Sequence, residues 1–427
     1  MIPRVIRRAI MISLISSFFI IAPLLIAYTA GFRFDPKTYH ILQTGVLSID
    51  IRPRSAQVFV NDIAINKGIP LRLANRAPGL YHIRIQQENY ISWEQDIHIE
   101  SNKTAYIKNI TLLKNPQLQE IKNIIDVEHI YSYPTSPTIF LLHKENNLYT
   151  ISSYNTKTEK IIPILRSDTI PTVDISATQP YVMIIDKQTI QIVSFDNPGN
   201  PTAFDIDNAP TQWQWIDDKF QPLYIQQKNT IYQLSFVSAD MIAKKTLKKN
   251  IPWYIYNNTL WTIDGTILSN ENTNIDNIET YILDNPITKI VDIQNNYILV
   301  QDTQHSHLIA RNIETNSIAT IEGTNNYYNP FNETWYIYSA WEISTIDRQG
   351  SIQFLTRSSD EIFSLTTIDE YNNLAIHNSK GLHLFNTTFY IWQYIDLQHT
   401  IKKYSIFSPD RILTISDDKN NLYYTQY

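Results

Sequence analysis

The chain has 427 residues, 43% hydrophobic and 18% charged, a balance that excludes a disordered polypeptide. It contains no cysteine, which excludes disulfides, thiolate metal sites and a cysteine nucleophile. Its formal charge of −6 comes from 35 basic and 41 acidic residues, with no cationic run beyond Lys244-Lys245 and Lys248-Lys249, so no nucleic-acid partner is expected: phosphate binding relies on clustered cations.

Arg4, Arg7 and Arg8 precede an uncharged run from Ala9 to Ala30, AIMISLISSFFIIAPLLIAYTA. At about 1.5 Å per residue this run is about 33 Å long as a helix, enough to cross a hydrocarbon core of about 30 Å. A cleaved signal peptide is the competing reading. Its apolar centre is shorter, about 7–15 residues, and it exits on two small residues, where Ala27-Tyr28-Thr29 and Tyr28-Thr29-Ala30 each offer one unsuited side chain. The sequence therefore predicts a basic cytoplasmic stub over 1–8, a transmembrane signal anchor over 9–30, a juxtamembrane linker over 31–44 and an extracytoplasmic bulk. The three arginines outweigh Arg33 and Lys37, which Asp35 offsets. Pro23 is tolerated within such a span. A stub of eight residues leaves no room for a cytoplasmic output domain, which disfavours a transmembrane sensor.

Residues 45–114 alternate as strands do, at Val46–Ile51, Gln57–Val60, Leu80–Ile85, Trp93–Ile99 and Ala105–Leu113, with Pro53-Arg54-Ser55 and Pro78-Gly79 as breaks. About five or six strands in about 70 residues predict a small β-sandwich in which each strand buries one face. The order Ile51-Arg52-Pro53-Arg54-Ser55-Ala56-Gln57-Val58-Phe59-Val60-Asn61-Asp62, Ile69-Pro70-Leu71, Ala77-Pro78-Gly79-Leu80-Tyr81 and Glu88-Asn89-Tyr90 resembles a PEGA domain. It departs from that family where Ser55, Asn61-Asp62 and Asn89 stand at glycine-bearing positions and Ile69 replaces threonine. The resemblance implies a non-catalytic extracytoplasmic spacer or adhesion module. Glycine is scarce, at 9 residues, and the doublets Asn146-Asn147, Asn295-Asn296, Asn325-Asn326 and Asn372-Asn373 are expected to fill left-handed turn positions in its place. The Ile and Asn bias resembles that of a protein from an AT-rich bacterial genome.

Residues 115–427 repeat. Strand-rich units begin near Tyr131, Val173, Trp213, Trp253, Val291, Tyr328, Leu365 and Tyr404, at steps of about 42, 40, 40, 38, 37, 37 and 39 residues, near the period of a four-stranded propeller blade. Eight units predict eight blades; seven is the alternative if the unit at Trp253 is absorbed. The run after Asn421-Leu422-Tyr423-Tyr424 is too short to complete the last blade, and Gln119–Ile125 is the segment expected to supply its outer strand. Phe407-Ser408-Pro409-Asp410-Arg411 resembles the F-S-P-D-G turn of TolB-like and WD40-like propellers, with Arg411 in place of glycine. The order of anchor, PEGA-like module and propeller resembles bacterial membrane-anchored surface proteins.

The chain carries no nucleophile elbow, zinc-protease helix, phosphate loop or calcium loop motif. His305-Ser306-His307 places two imidazoles on one strand face and could ligate a metal with a distant carboxylate, but an exposed edge or loop is the expected role, since no third ligand is evident nearby. Asp417-Asp418-Lys419-Asn420-Asn421 reads as a solvated turn rather than a calcium loop. Trp213, Trp215, Trp335, Trp341 and Trp392 read as blade-core or rim aromatics, with sugar or peptide stacking the other use. No catalytic residue, metal or cofactor is assigned. The expected function is a membrane-tethered extracytoplasmic binding or scaffold protein of the cell envelope, whose propeller presents loops to a protein, peptide or glycan. The alternative is a hydrolase or lyase with a site assembled across blades in the central channel.

Overall fold

The computed structural model describes residues 4–35, 39–218, 222–236, 238–271, 279–310, 317–371 and 373–427. The chain divides into two compact units, Met1–Asn115 together with Tyr427, and Pro116–Gln426.

The first unit opens with the helix Arg4–Thr29, which contains Pro23. Its segment Ile6–Thr29, 24 residues of mean hydropathy 2.5, is long and apolar enough to cross a membrane. The carbonyls at its C-terminal end find partners in the next stretch of chain: Arg33 Nη1 donates to the Tyr28 carbonyl at 2.7 Å, and Gln43 Nε2 donates to that of Ala30 at 3.1 Å. The segment read as a linker folds instead as a hairpin, Phe32–Asp35 paired with His40–Gln43.

Beyond it lies a sandwich of two sheets. In one, Gly45–Arg52 runs between Leu71–Arg76 and Thr104–Thr111, parallel to the latter. In the other, Gln57–Val60 and Gly79–Gln86 are flanked by Ile63–Ile65 and Trp93–Ile99. Period-2 alternation sends Leu47, Ile49 and Ile51, Val58 and Val60, and Ile83 and Ile85 into the core. The sandwich has seven strands, not five or six. Ile63–Ile65 is only three residues long, and in Leu71–Arg76 the alternation begun by the buried Leu71 and Leu73 is lost over Ala74, Asn75 and Arg76. The turn residues Asn61 (φ 48°), Asp62 (φ 64°) and Asn89 (φ 64°) adopt the left-handed backbone that glycine otherwise supplies.

The second unit is an all-β propeller of eight four-stranded antiparallel sheets, spanning 127–167, 172–205, 212–246, 253–282, 289–322, 325–357, 362–395 and 403–426. All eight unit starts read from the sequence fall in first strands. The unit at Trp253 is a full blade: Trp253–Tyr256, Thr259–Asp264, Ile267–Glu271 and Thr280–Ile282. The asparagine expectation holds only in part. Asn146 and Asn147 are left-handed, as are Asn257 and Asn258, and each pair closes a two-residue hairpin. Asn295-Asn296 are not left-handed, Asn325-Asn326 open the strand Asn325–Asn329, and Asn372 lies outside the described residues.

The second strand of each blade explains the packing. Buried on both faces, it reads as a continuous apolar run, such as Ile139-Phe140-Leu141-Leu142 or Tyr181-Val182-Met183-Ile184-Ile185. Alternation then decides which neighbour each residue meets. Phe140 and Leu142 of blade 1 pack with Val182 and Ile184 of blade 2, whereas Met183 and Ile185 pack with Leu223 and Ile225 of blade 3. Likewise Ile298 and Val300 of blade 5 face blade 4, and Tyr297 and Leu299 face blade 6. A one-residue slip would exchange the two interfaces.

Blade 8 supplies three strands of its own, and Gln119–Glu120 adds the fourth, with Gln119 opposite Tyr424 and Glu120 opposite Tyr423. Ile121 and Ile124 then bury beside Val127, Leu141 and Leu422. A few backbone hydrogen bonds contribute about 0.5–1.5 kcal/mol each, whereas each buried isoleucine contributes about 1.5–3 kcal/mol, so burial is the larger part of this latch.

Among the histidines within blade sheets are His143, His377 and His383. His143 shares a hydrogen bond of 3.0 Å with Ser152 Oγ. His377 is flanked by the edges of Phe363 and Tyr404, and His383 by Trp392 and Tyr394. Burial, the largest influence on each, lowers all three below the ordinary 6.5. The unfolded chain therefore takes up more protons as pH falls through about 6.5, and stability declines from there downward. Thermal melts from pH 7.5 to 5.5 are expected to show falling Tm, with a smaller fall in His143→Gln; a flat profile in the parent would contradict this.

Candidate functional site

The first strands of neighbouring blades approach one another, as blade 8 does blade 1, blade 4 does blade 5 and blade 6 does blade 7, and so form the inner wall of the ring. Their polar side chains reach across the blade seams at a separation of about 40 residues. Asp174, in the first strand of blade 2, accepts the indole N–H groups of Trp213 and Trp215 from blade 3, both at 2.8 Å on Oδ2. The two tryptophans share a face because they are two residues apart on one strand. Asp292, in the first strand of blade 5, is buried and accepts Tyr254 Oη of blade 4 (3.2 Å), Tyr297 Oη of its own blade (2.9 Å) and Trp335 Nε1 of blade 6 (2.9 Å). Gln212 and Gln214 bond side chain to backbone with Trp253 and Ile255, accepting the Ile255 amide at 2.8 Å and donating to its carbonyl at 2.9 Å. Tyr327 Oη joins blade 6 to Thr367 of blade 7 at 2.9 Å.

The phenols of Tyr254 and Tyr297 remain protonated donors. Burial and then the Asp292 charge push Tyr254 and Tyr297 well above the ordinary tyrosine value, and burial pushes Tyr131, Tyr133 and Tyr328 up to about 12. Chemically, Asp174 and Asp292 are occupied in joining blades. Neither was singled out in the sequence, although each sits in the repeated tripeptide Val-Asp-Ile, at Val173-Asp174-Ile175 and Val291-Asp292-Ile293. An acid in the middle of an apolar inner strand was the available signal.

A second cluster lies at the hairpin between the second strand (Tyr297–Gln301) and third strand (His305–Ala310) of blade 5. Asp302 Oδ1 accepts the amides of Gln304 (2.6 Å) and His305 (2.7 Å), which folds the carboxylate back over the strand it precedes. Asp302 Oδ2 lies 3.0 Å from His307 Nε2 and 3.9 Å from His305 Nδ1, and accepts Asn285 Nδ2 at 3.1 Å. The ligand-type atoms of Asp302, His305 and His307 all lie within 4.8 Å of one another. Burial alone would raise the Asp302 carboxyl, but hydrogen bonds from His307, the Gln304 and His305 amides and Asn285 outweigh it and hold it well below the usual carboxylate range. The expectation that His305 and His307 form an exposed edge with no nearby carboxylate is corrected here: their side chains are 27% and 12% exposed, that of Asp302 is 2%, and Asp302 lies three residues before His305. The turn brings it there.

The other sequence candidates serve the fold. Asp417 Oδ1 accepts the amides of Lys419 and Asn421 at 2.9 and 2.8 Å, so its carboxylate is engaged in a turn, and it is buried rather than solvated. Trp392 packs on Phe385, while Trp341 stands 49% exposed on the hairpin tip of blade 6. Lys244 and Lys245 lie on the outer strand of blade 3, and Lys249 pairs with Asp264. Arg411 adopts a left-handed backbone (φ 55°), the conformation that glycine takes most easily.

No family model and no curated protein matches the sequence. Among solved structures, the chain is similar to a computationally designed protein, Ika8 (10% identity, 71% of this chain and 96% of that chain, TM-score 0.42). It is also similar to PorZ, described as an essential bacterial surface component of the type-IX secretion system of Porphyromonas gingivalis (12% identity, 70% and 42%, TM-score 0.43), and to the Pan2 WD40 domain of Neurospora crassa (9% identity, 73% and 95%, TM-score 0.39). Likenesses at this level carry no functional inference.

Removing the Asp292 carboxylate leaves two phenols and an indole without their acceptor, at roughly 1–3 kcal/mol for each unsatisfied donor. Asp292→Ala is expected to destabilise the propeller by about 3–5 kcal/mol in denaturant unfolding, and Asp292→Asn, which keeps one acceptor oxygen, by less. A loss under about 1 kcal/mol would show that the seam does not depend on this group.

Proposed function

We propose that the chain is a membrane-tethered, extracytoplasmic binding or scaffold protein of a bacterial cell envelope, whose propeller presents a recognition face to a protein, peptide or glycan. The observation that carries this reading is the helix Ile6–Thr29. Its large apolar side chains, Phe18, Phe19, Leu24 and Ile26 among them, are all exposed to the surroundings, an arrangement stable in lipid and unfavourable in water. With Arg7 and Arg8 at its start, the excess of basic residues favours a cytoplasmic N-terminus and carries both β units to the opposite side.

A binding role is supported by the way the ring spends its inner carboxylates. Asp174 and Asp292 hold neighbouring blades together, which makes the inner wall a rigid frame for surface loops. Trp341, half exposed at a hairpin tip, is the kind of residue that anchors partners, since its large surface is ordered at low entropic cost. The sandwich, with its PEGA-like turns at Asn61-Asp62 and Asn89, fits a spacer between anchor and propeller.

Because the chain has no cysteine, one introduced thiol reports topology without background. Lys244→Cys, on the exposed outer strand of blade 3, is expected to react with a membrane-impermeant maleimide in intact cells or spheroplasts, on a protein whose mass retains residues 1–30. Labelling only after lysis would reverse the orientation, and a released product lacking those residues would remove the tether.

A further inference from the structure

We propose that Asp302, His305 and His307 form a binding site for one divalent transition-metal ion of the zinc type, with a fourth coordination position open to water. This goes beyond the binding role above and does not depend on the membrane anchor.

The donor set is one carboxylate oxygen and two imidazole nitrogens, already within 4.8 Å of one another. Zinc bonds of about 2.0–2.2 Å to such ligands separate neighbouring donor atoms by about 3.3–3.5 Å in a tetrahedron. Asp302 Oδ2 is 3.0 Å from His307 Nε2 and 3.9 Å from His305 Nδ1, so both separations bracket that value and small rotations of the side chains satisfy it. Calcium and magnesium are poor candidates because they seek six or more oxygen donors or several retained waters.

The surroundings are arranged as those of ligands are. Both amide bonds to Asp302 fall on Oδ1, leaving Oδ2 as the oxygen that faces the imidazoles, and Asn285 fixes its direction. His307 Nδ1 faces Thr320 Oγ1 at 3.4 Å. A threonine hydroxyl can donate or accept, so it supports His307 with the proton on Nε2, bonded to Asp302, or with the proton on Nδ1, which frees Nε2 for a metal. His305 and His307 are held in register on a strand whose opening residues are tied to Gly323: Ser306 Oγ donates to the Gly323 carbonyl at 3.0 Å, and His305 bridges to Gly323. Gly323 has φ +104°, and an added Cβ would fall 2.3 Å from the Tyr338 carbonyl group, so no other residue fits there without displacing blade 6.

The competing explanation is that Asp302 is only a turn cap. Blade 8 contains such a cap. Asp417 uses Oδ1 for two backbone amides, as Asp302 does, but its Oδ2 faces Asn421 Nδ2 and Tyr423 Oη, with no imidazole in the set. Capping therefore accounts for the aspartate and not for the two histidines. It also leaves His305 Nδ1 buried without a hydrogen-bond partner, an atom that a metal would satisfy.

The test uses the full-length chain in detergent, without a polyhistidine tag and stripped by chelator, titrated with zinc chloride by calorimetry and with cobalt chloride by visible absorption. One zinc per chain is expected, with a cobalt band of the intensity that tetrahedral coordination gives. The double variant His305→Gln/His307→Gln is expected to bind zinc at least 100-fold more weakly and to lose the cobalt band. Asp302→Asn keeps an acceptor for the turn amides and is expected to weaken binding at least 10-fold, which keeps the test decisive if the double variant folds poorly. His143→Gln, in blade 1, is expected to bind as the parent does. Absence of stoichiometric zinc binding, or binding unchanged in both site variants, would overturn the proposal.

Discussion

The pairing of Gln119–Glu120 with Leu422–Gln426 is the constraint on which the second unit depends. Eight sheets arranged radially have no stable end unless the last meets the first, because an unpaired strand edge exposes a row of backbone donors and acceptors. The chain meets this need by lending two residues from ahead of blade 1 to the outside of blade 8. The latch is short, so its strength rests on Ile121 and Ile124, which bury against blade 1 and Leu422 and tie the borrowed strand to both sides of the closure. Further fastening comes from the turn of blade 8: the Ser408 amide donates to the Pro134 carbonyl at 3.1 Å, and Lys157 pairs with Asp410 at 2.7 Å.

Between closure points the ring is held by two kinds of contact, one made by the second strands and one by the first strands of the inner wall. Apolar alternation in the second strands fills the space between blades. On the inner wall, where first strands converge and less apolar surface is available, aspartate–aromatic and glutamine–backbone bonds take over. A buried carboxylate is costly unless it is fully bonded, and Asp292, with phenol and indole donors from three blades, meets that condition through neutral donors. Such a group contributes specificity of blade order as much as stability, since it is satisfied only when blades 4, 5 and 6 stand in sequence.

Much of this was legible in the residues. The interval of about 40 between unit starts located all eight first strands, because each blade repeats the same rise from polar turn to buried strand. The short strand Ile63–Ile65 was not legible, since three residues with two exposed give no period to read. Cross-blade partners were hidden for a different reason: Trp213 and Asp174 are 39 residues apart, and only the closed ring makes them neighbours. Asp302 was closer to hand. Its distance of three residues from His305 is what an aspartate-capped hairpin turns into contact, so the spacing Asp302, His305, His307 held the signal once the turn was considered.

Closure is open to direct measurement because the chain has no cysteine of its own. Gln119 and Tyr424 stand directly opposite in an antiparallel pair, where Cα atoms lie about 4.5–5.5 Å apart, within the range a disulfide spans. In the double variant Gln119→Cys/Tyr424→Cys, mild oxidation of the folded protein should link the two positions within one chain, so that fragments cut between blades stay together until reduced. Two thiols that remain fully open to alkylation in the folded protein, or a link that forms only between chains, would contradict the closed eight-bladed ring.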